Sequence, residues 1–148
     1  MRVKAFAAIE DEFYQRVSRD ICCNLATIDE QGRLRSRVVH PLWQGPVCWV
    51  LTKRIGPKAR HIDRHPFVSL AYVGDSAHPA YAECRAEWIE DPDEKQRIWR
   101  RFRSSPLGYN PAPFYRDAGH PHLGVLKLKP WRIQIDDSPG ETTIWQPG

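Results

Sequence analysis

Hydrophobic and polar positions alternate along most of this chain in short runs, and clusters of turn-forming residues separate the runs. Such runs are typical of β-strands, because successive side chains of a strand point to opposite faces of a sheet. They predict strands at residues 22–28, 33–43, 47–52, 67–73, 80–89, 123–128 and 131–135. The turn at residues 29–32 joins the first two strands as a hairpin, and the compact run 47–52 is of the type buried on both faces.

Three further stretches have the period of an α-helix: residues 7–19, 55–65 and 91–102. The first has acidic residues in its first turn and arginines in its last, as the helix dipole favours. Pro66 ends the second, and an aspartate cap before Pro92 begins the third. Residues 104–113 are predicted as a loop, and residues 138–148 show no clear period.

Strands separated by tight turns outnumber any βαβ units, which predicts a mainly β fold with peripheral helices. An antiparallel barrel is the expected closure, because it removes exposed strand edges. The length of 148 residues suits one compact domain, so residues 1–148 are expected to form a single domain.

The composition excludes several classes of protein. Hydrophobic residues make up 41% and charged residues 27%, and the mean hydropathy is -0.58, so the chain is neither disordered nor a membrane protein by composition. Its N-terminal apolar run is too short for a signal peptide, which predicts a cytoplasmic protein. The four cysteines have no C-x-x-C spacing and are expected to be reduced and mostly buried.

The charge is unevenly distributed. The whole chain carries a net +4, but residues 32–65 hold eight basic residues and one acidic residue, a net +7. A basic zone in one third of a small domain suggests an anionic ligand, which could be a phosphate-bearing cofactor, an acidic substrate or nucleic acid. The alternative is a solvated charged face.

The common catalytic and metal-binding motifs are absent from the sequence. His61 and His65 are four residues apart, but Ile62 stands where an H-E-x-x-H motif has its glutamate, so they are expected to be exposed helix residues without a metal. His120 and His122 are expected to be loop residues. No G-x-S-x-G, G-x-G-x-x-G or P-loop motif occurs, and no catalytic side chain is assigned.

The basic zone contains the parts of a phosphate site. Arg37 lies on the second predicted strand, Thr52 ends the third, and the stretch Gly56-Pro57-Lys58 opens the basic helix. A guanidinium, a hydroxyl, an ammonium and a helix N-terminus can converge there on one dianion. The alternative is a strand with extended arginines beside a charged helix.

Several motifs follow one another in a defined order. The first half of the chain contains Asn24-Leu25-Ala26-Thr27-Ile28-Asp29, Gly32-Arg33-Leu34-Arg35-Ser36-Arg37-Val38-Val39, Leu51-Thr52 with Lys58 six residues later, and Arg64-His65-Pro66-Phe67-Val68-Ser69-Leu70. The second half adds the strand 82–90, the helix start Asp91-Pro92 and the ending Leu126-Lys127-Leu128-Lys129-Pro130-Trp131-Arg132-Ile133. Together they resemble the FMN-binding split-barrel proteins related to pyridoxamine 5'-phosphate oxidase. The similarity covers most of residues 8–136 and leaves 137–148 as a C-terminal tail.

The resemblance implies a six-stranded antiparallel split barrel, and a homodimer with two flavin sites at the subunit interface. Arg37 and Lys58 would bind the cofactor phosphate, with Thr52 as a hydrogen-bond partner and Gly56-Pro57 beside them. The residues implied next to the flavin itself are Val38, Val39, His40, Val50 and Leu51. No catalytic side chain is required, because the cofactor carries the hydride chemistry.

Two departures from the family pattern bear on function. Gly56-Pro57-Lys58 replaces Ser-Arg-Lys, so one hydroxyl and one guanidinium are missing from the phosphate site, and Arg54 or Arg60 could compensate. The C-terminal Arg-x-His substrate motif is also absent, with Asp136-Asp137-Ser138 in that region. Oxidation of pyridoxamine phosphate is therefore not expected.

The leading hypothesis is a flavin-dependent oxidoreductase that binds FMN, or the deazaflavin F420, and passes a hydride to a small acceptor. The polyanionic tail of F420 could meet Arg54, Arg60 and Arg64. The alternative is a non-catalytic split barrel that binds or senses flavin or haem. Single-stranded nucleic-acid binding is a third reading, but core packing explains most of the aromatic residues that would stack on bases. The expected partners are a second copy of the chain and a small substrate, with no nucleic acid or membrane.

Overall fold

The computed structural model describes residues 1–137 and 139–148. These described residues form nine strands: β1 (Arg2–Val3), β2 (Cys23–Ile28), β3 (Leu34–Val39), β4 (Leu42–Gln44), β5 (Val47–Lys53), β6 (Phe67–Tyr72), β7 (Ala80–Ile89), β8 (Leu123–Asp136) and β9 (Thr142–Trp145). A short 3-10 helix at Phe6–Ala8 precedes four α-helices: α1 (Glu10–Arg19), α2 (Pro57–Arg64), α3 (Pro92–Ser104) and α4 (Ala112–Tyr115). The three predicted helices are therefore confirmed, and so are the predicted strands that correspond to β2, β5, β6 and β7.

The strands form one sheet that is organised around β8. The strand order is β1-β9-β8-β7-β6-β2-β3, and β5 also pairs with β8 and with β4. Along β8, residues 123–128 pair with β5, and residues 133–136 pair with β9. β7 pairs with both halves of β8 from the other side. β5 and β9 therefore diverge from the same long strand.

The fold is mainly β with peripheral helices, as predicted, but the prediction of a six-stranded antiparallel split barrel needs correction. The sheet has nine strands, its β1–β9 pair is parallel, and the pairings among the described residues leave it open between β3 and β4. The extra strands are the short ones, and two of them lie at the chain termini. β9 falls within the segment that showed no period, of which Ser138 lies outside the described residues.

Two prolines act differently from the prediction. Pro41 divides the predicted strand 33–43 into β3 and β4, because proline cannot donate to a strand ladder. The sequence pattern predicts a break between two strands at Pro130, but β8 continues through it. The register between β7 and β8 shifts there, with Cys84 opposite Pro130 and Glu83 opposite Arg132. Such an irregularity is a position where a sheet tolerates proline.

The apolar residues form two cores on opposite sides of β5 and β8. Val50 and Leu126 belong to the larger core, together with the apolar face of α1. Leu51 and Val125 belong to the smaller one, beneath α3. β5 is thus buried on both faces, as its continuous apolar run predicted. Its C-terminal end emerges between α2 and the segment that follows α3.

One histidine prediction is wrong, and the thiol prediction is confirmed. His61 is 2% exposed rather than solvated, and its Nε2 lies 3.4 Å from the carboxylate of Glu30. The four cysteines are free thiols, of which Cys22 alone is exposed. Within the described part of the chain, no group of His, Cys, Asp and Glu side chains has the arrangement of a metal site. Over the same residues, no helix is both long and apolar enough to cross a membrane.

Candidate functional site

A cleft of about 1000 Å³ opens where β5 ends. Its walls come from the end of β3, from the start of α2 and from the segment 109–115 that follows α3. Leu51, Lys53 and Ile55 also line it. The two ends of the cleft differ in chemistry, because one is cationic and the other is aromatic.

The cationic end is built from Arg37, Thr52 and Lys58. The ammonium of Lys58 donates a hydrogen bond to Thr52 Oγ1 at 2.7 Å, and Arg37 Nη2 donates to Thr27 Oγ1 at 3.2 Å. Burial, and then the charge of Arg37, lower the pKa of Lys58. Burial also lowers the pKa of Arg37, with a further contribution from Arg35.

These two cations have hydroxyl partners rather than carboxylate partners. Within residues 1–137 and 139–148, no Asp or Glu oxygen lies within ion-pair distance of Arg37 or Lys58. Two partly buried positive charges without carboxylate partners are stabilised when an anion binds between them. This end of the cleft is therefore suited to a dianion such as a phosphate.

The N-terminus of α2 adds to the positive potential. Gly56 has φ 106° and ψ −178°, a conformation that favours glycine, and Pro57 takes the first helical position. The first hydrogen bond of the helix runs from Arg60 N–H to the Gly56 carbonyl at 3.1 Å. The N–H groups of the first turn precede it and have no partner within the helix, so they can bind an anion.

The aromatic end is formed by the segment after α3. Tyr109, Asn110, Phe114 and Tyr115 line it together with His40. The ring of His40 lies 4.7 Å from that of Tyr109, at an interplanar angle of 37°. His40 Nε2 is 2.7 Å from the carbonyl oxygen of Leu107, so this nitrogen carries the hydrogen and donates it.

The sequence pattern does not predict that these aromatic residues line the cleft. They lie in and just after a loop rich in proline and glycine, where no periodicity indicates which side chains face inward. The available signal was the concentration of aromatic residues in a segment without a strand or helix pattern. An aromatic cluster in such a loop requires a tertiary partner to remain ordered, and here His40 and Phe102 provide it.

Seven of the ten predicted site residues line the cleft, and they are Arg37, His40, Leu51, Thr52, Gly56, Pro57 and Lys58. The structure does not bring the other three together with them. Val39 and Val50 are buried in the larger core, and Val38 is 68% exposed. Side chains alternate along β3, so Val38 points to the face opposite Arg37.

The arginines that could compensate for the missing family residues do not line the cleft. Arg54 lies 3.3 Å from Asp63 and 3.6 Å from Glu90, and its guanidinium stacks 4.5 Å from the Trp88 ring. Arg60 lies 3.9 Å from Glu30. The positive potential of the cationic end thus comes from Arg37, Lys58 and the start of α2.

Comparisons with known proteins agree with this architecture. The sequence profile of the pyridoxamine 5'-phosphate oxidase family matches residues 9–135. No curated protein matches the sequence. A protein related to general stress protein 26 from Clostridium acetobutylicum is similar in fold, with a TM-score of 0.77 and 12% identity over 94% of each chain.

Two further solved structures share the fold. An FMN-binding protein related to pyridoxamine 5'-phosphate oxidase from Nostoc punctiforme has a TM-score of 0.68 and 16% identity, over 94% of this chain and 87% of its own. A heme binding protein from Mycobacterium smegmatis has a TM-score of 0.68 and 16% identity, over 88% of this chain and 57% of its own. With the profile match spanning most of its length, this chain belongs to the pyridoxamine 5'-phosphate oxidase family.

Proposed function

We propose that the protein is a flavin-dependent oxidoreductase that binds FMN in the cleft and transfers a hydride to a small acceptor. The observation that carries the proposal is the pair of cations, Arg37 and Lys58, held without carboxylate partners beside the N-terminus of α2. A phosphate-bearing cofactor matches this set of donors. The FMN-binding relative from Nostoc punctiforme supports the choice of flavin.

The cleft residues would have different roles in binding the cofactor. Arg37 and Lys58 would hold the phosphate by charge-assisted hydrogen bonds. Thr52 accepts from Lys58, so its own hydroxyl hydrogen is free to donate to a phosphate oxygen. Gly56 and Pro57 shape the start of the helix, and Leu51 supplies an apolar surface. When bound, the flavin supplies the hydride chemistry, and the protein orients it and keeps water away.

The placement of the arginines favours FMN over F420. Of the three arginines that could meet the polyanionic tail of F420, Arg54 and Arg60 already face carboxylates. Arg64 is exposed and has no ion-pair partner within the described residues. A surface that binds an extended anion would have more arginines without carboxylate partners.

A homodimer is part of the proposal, and β3 supports it. This strand pairs only with β2 among the described strands, so its outer edge is free to pair. Leu34 and Val38 lie on one face of β3 and are 77% and 68% exposed. Apolar side chains on a free strand edge next to the cleft suit burial against a second copy of the chain. The molecular mass in solution tests this point.

The test of the cofactor is the absorption spectrum of the protein as purified, with mass analysis of whatever it releases on denaturation. We expect an oxidised flavin spectrum and the mass of FMN. The mass of F420 would replace FMN with the deazaflavin, and a haem spectrum would overturn the flavin assignment. Reduction by NAD(P)H, followed by failure to reoxidise with quinones, nitro compounds or oxygen, would support a binding protein without turnover.

The lowered pKa of Lys58 predicts a pH dependence of FMN binding. The ammonium is charged below this pKa, which lies under the ordinary value of 10.5, so the Kd for FMN should rise as the pH increases through it. Riboflavin lacks the phosphate and is the reference for titration of the flavin ring. In Lys58→Arg, the ratio of the Kd for FMN to the Kd for riboflavin should be nearly independent of pH from about pH 7 to pH 11, because a guanidinium stays protonated. If this ratio changed with pH in the same way in the wild-type protein and in Lys58→Arg, the role of Lys58 would be contradicted.

A further inference from the structure

The aromatic end of the cleft contains rings and polar groups that a phosphate at the cationic end would not contact. The rings of Tyr109, Phe114 and Tyr115 form one wall of the cleft, and His40 packs against Tyr109. The rings of Tyr109 and Phe114 are 6.3 Å apart at 85°, an edge-to-face arrangement. Phe114 is 71% exposed, an unusual exposure for a phenylalanine at the mouth of a cleft.

Two polar groups beside these rings have hydrogens available to donate. The Asn110 carbonyl oxygen accepts from the Ala112 N–H at 3.1 Å, which leaves its NH₂ group available. Burial raises the pKa of Tyr109 to about 12, so its hydroxyl keeps its proton at neutral pH. No Asp or Glu within the described part of the chain lines the cleft. A ligand here therefore gains from acceptor oxygens and loses from positive charge.

We propose that this aromatic end is a subsite for a planar aromatic ligand that carries acceptor oxygens, as a quinone does. Offset-stacked or edge-to-face contacts with the rings of Tyr109 and Phe114 would fix the orientation of the ligand plane. The donors of Tyr109 and Asn110 would meet its oxygens. That this ligand is the substrate rests on the proposed function, because only a bound flavin gives the subsite a reaction to serve.

The cleft is large for a single small ligand. Small-molecule sites span about 300–1000 Å³, and this cleft lies at the upper end of that range. A phosphate-bearing cofactor anchored at Arg37 and Lys58 would leave the aromatic end for a second molecule. The two ends are carried by different parts of the chain, so they can be altered independently.

His40 has a positioning role in this arrangement. Its hydrogen bond to the Leu107 carbonyl ties the end of β3 to the segment that carries Tyr109. Its ring also packs against the Tyr109 ring, which orders a loop that has no regular structure. Loss of this bond would move the aromatic wall without changing any group of the cationic end.

Equilibrium dialysis of the purified protein against anthraquinone-2-sulfonate tests the subsite. This probe is planar and anionic, and it lacks the free quinone ring positions that would react with the exposed Cys22 thiol. N-methylacridinium has the same three fused rings and a positive charge. We expect the anthraquinone to bind and the acridinium to bind at least about tenfold more weakly.

Three variants locate the binding. Tyr109→Leu and Phe114→Ala should weaken anthraquinone binding roughly three- to tenfold, since each removes a ring contact. Phe114 is exposed, so its removal leaves the core intact. Tyr81→Leu, at a half-buried tyrosine of β7 away from the cleft, is the matched control and should change nothing.

The outcomes separate this inference from the proposed function. Unchanged anthraquinone binding in both cleft variants would overturn the subsite, as would equal binding of the acridinium. An equal loss of FMN affinity in Tyr109→Leu would also overturn it, because the wall would then belong to the cofactor. If the protein binds no flavin but holds anthraquinone through Tyr109, the subsite stands and the proposed function fails.

Discussion

Replacing Lys58 with alanine should weaken FMN binding roughly ten- to hundredfold while riboflavin binding stays nearly unchanged. A hydrogen bond to a charged group contributes about 1.5–3 kcal/mol, and each 1.4 kcal/mol is about tenfold in Kd. Lys58 is one of two cations at the cationic end, and its ammonium already lies 2.7 Å from Thr52 Oγ1. Riboflavin lacks the group that this ammonium would bind. Fluorescence titration of the apoprotein with each flavin measures the difference.

Arg64→Ala is the matched control for this substitution. It removes the same unit of charge from the same helix, but Arg64 is exposed and does not line the cleft. The control should reduce FMN affinity by less than about twofold, because exposed charges are screened by salt. An equal loss of affinity for FMN and riboflavin in Lys58→Ala would refute the phosphate assignment. So would an equal effect of the two alanine variants on FMN.

The cationic end of the cleft could be predicted from the sequence because its parts are local. Thr52, Gly56 and Lys58 lie within seven residues, at the junction of a strand and a helix that both have clear periodic patterns. Arg37 is brought to them by β3, whose hairpin with β2 is marked by a turn motif. Short sequence separations and strong turn signals leave few alternative arrangements.

The aromatic end could not be predicted in the same way. Tyr109 meets His40 across 69 positions of sequence, and the contact depends on where α3 docks against β5 and β8. β1 and β9 are equally non-local, since Arg2 pairs with Ile144. Strands of two to four residues carry too little alternation to stand out, and they form because the sheet offers them an edge.

Arg16 shows how tertiary context changes the role of a residue. By pattern it is one of the arginines that end the first helix, but it is 2% exposed. Its guanidinium donates to the carbonyl oxygens of Pro79 and Asp136, at 2.9 and 2.6 Å. It also pairs with the carboxylates of Glu12 and Asp137. One side chain thus joins α1 to the start of β7 and the end of β8.

Arg16→Leu should therefore lower the free energy of unfolding by about 3 kcal/mol, which corresponds to about 10 °C in Tm for a domain of this size. The loss comes from buried carbonyl groups left without their donor, since the two carboxylates remain half exposed and can be hydrated. Arg19→Leu is the matched control on the same helix. Its pair with Asp75 is exposed on both sides, so it should cost less than about 1 kcal/mol. Urea denaturation measures the free energy of unfolding of the two variants. Equal, small losses of this free energy would mean that hydration replaces the Arg16 contacts. In that case α1 would be held to the sheet by its apolar face alone.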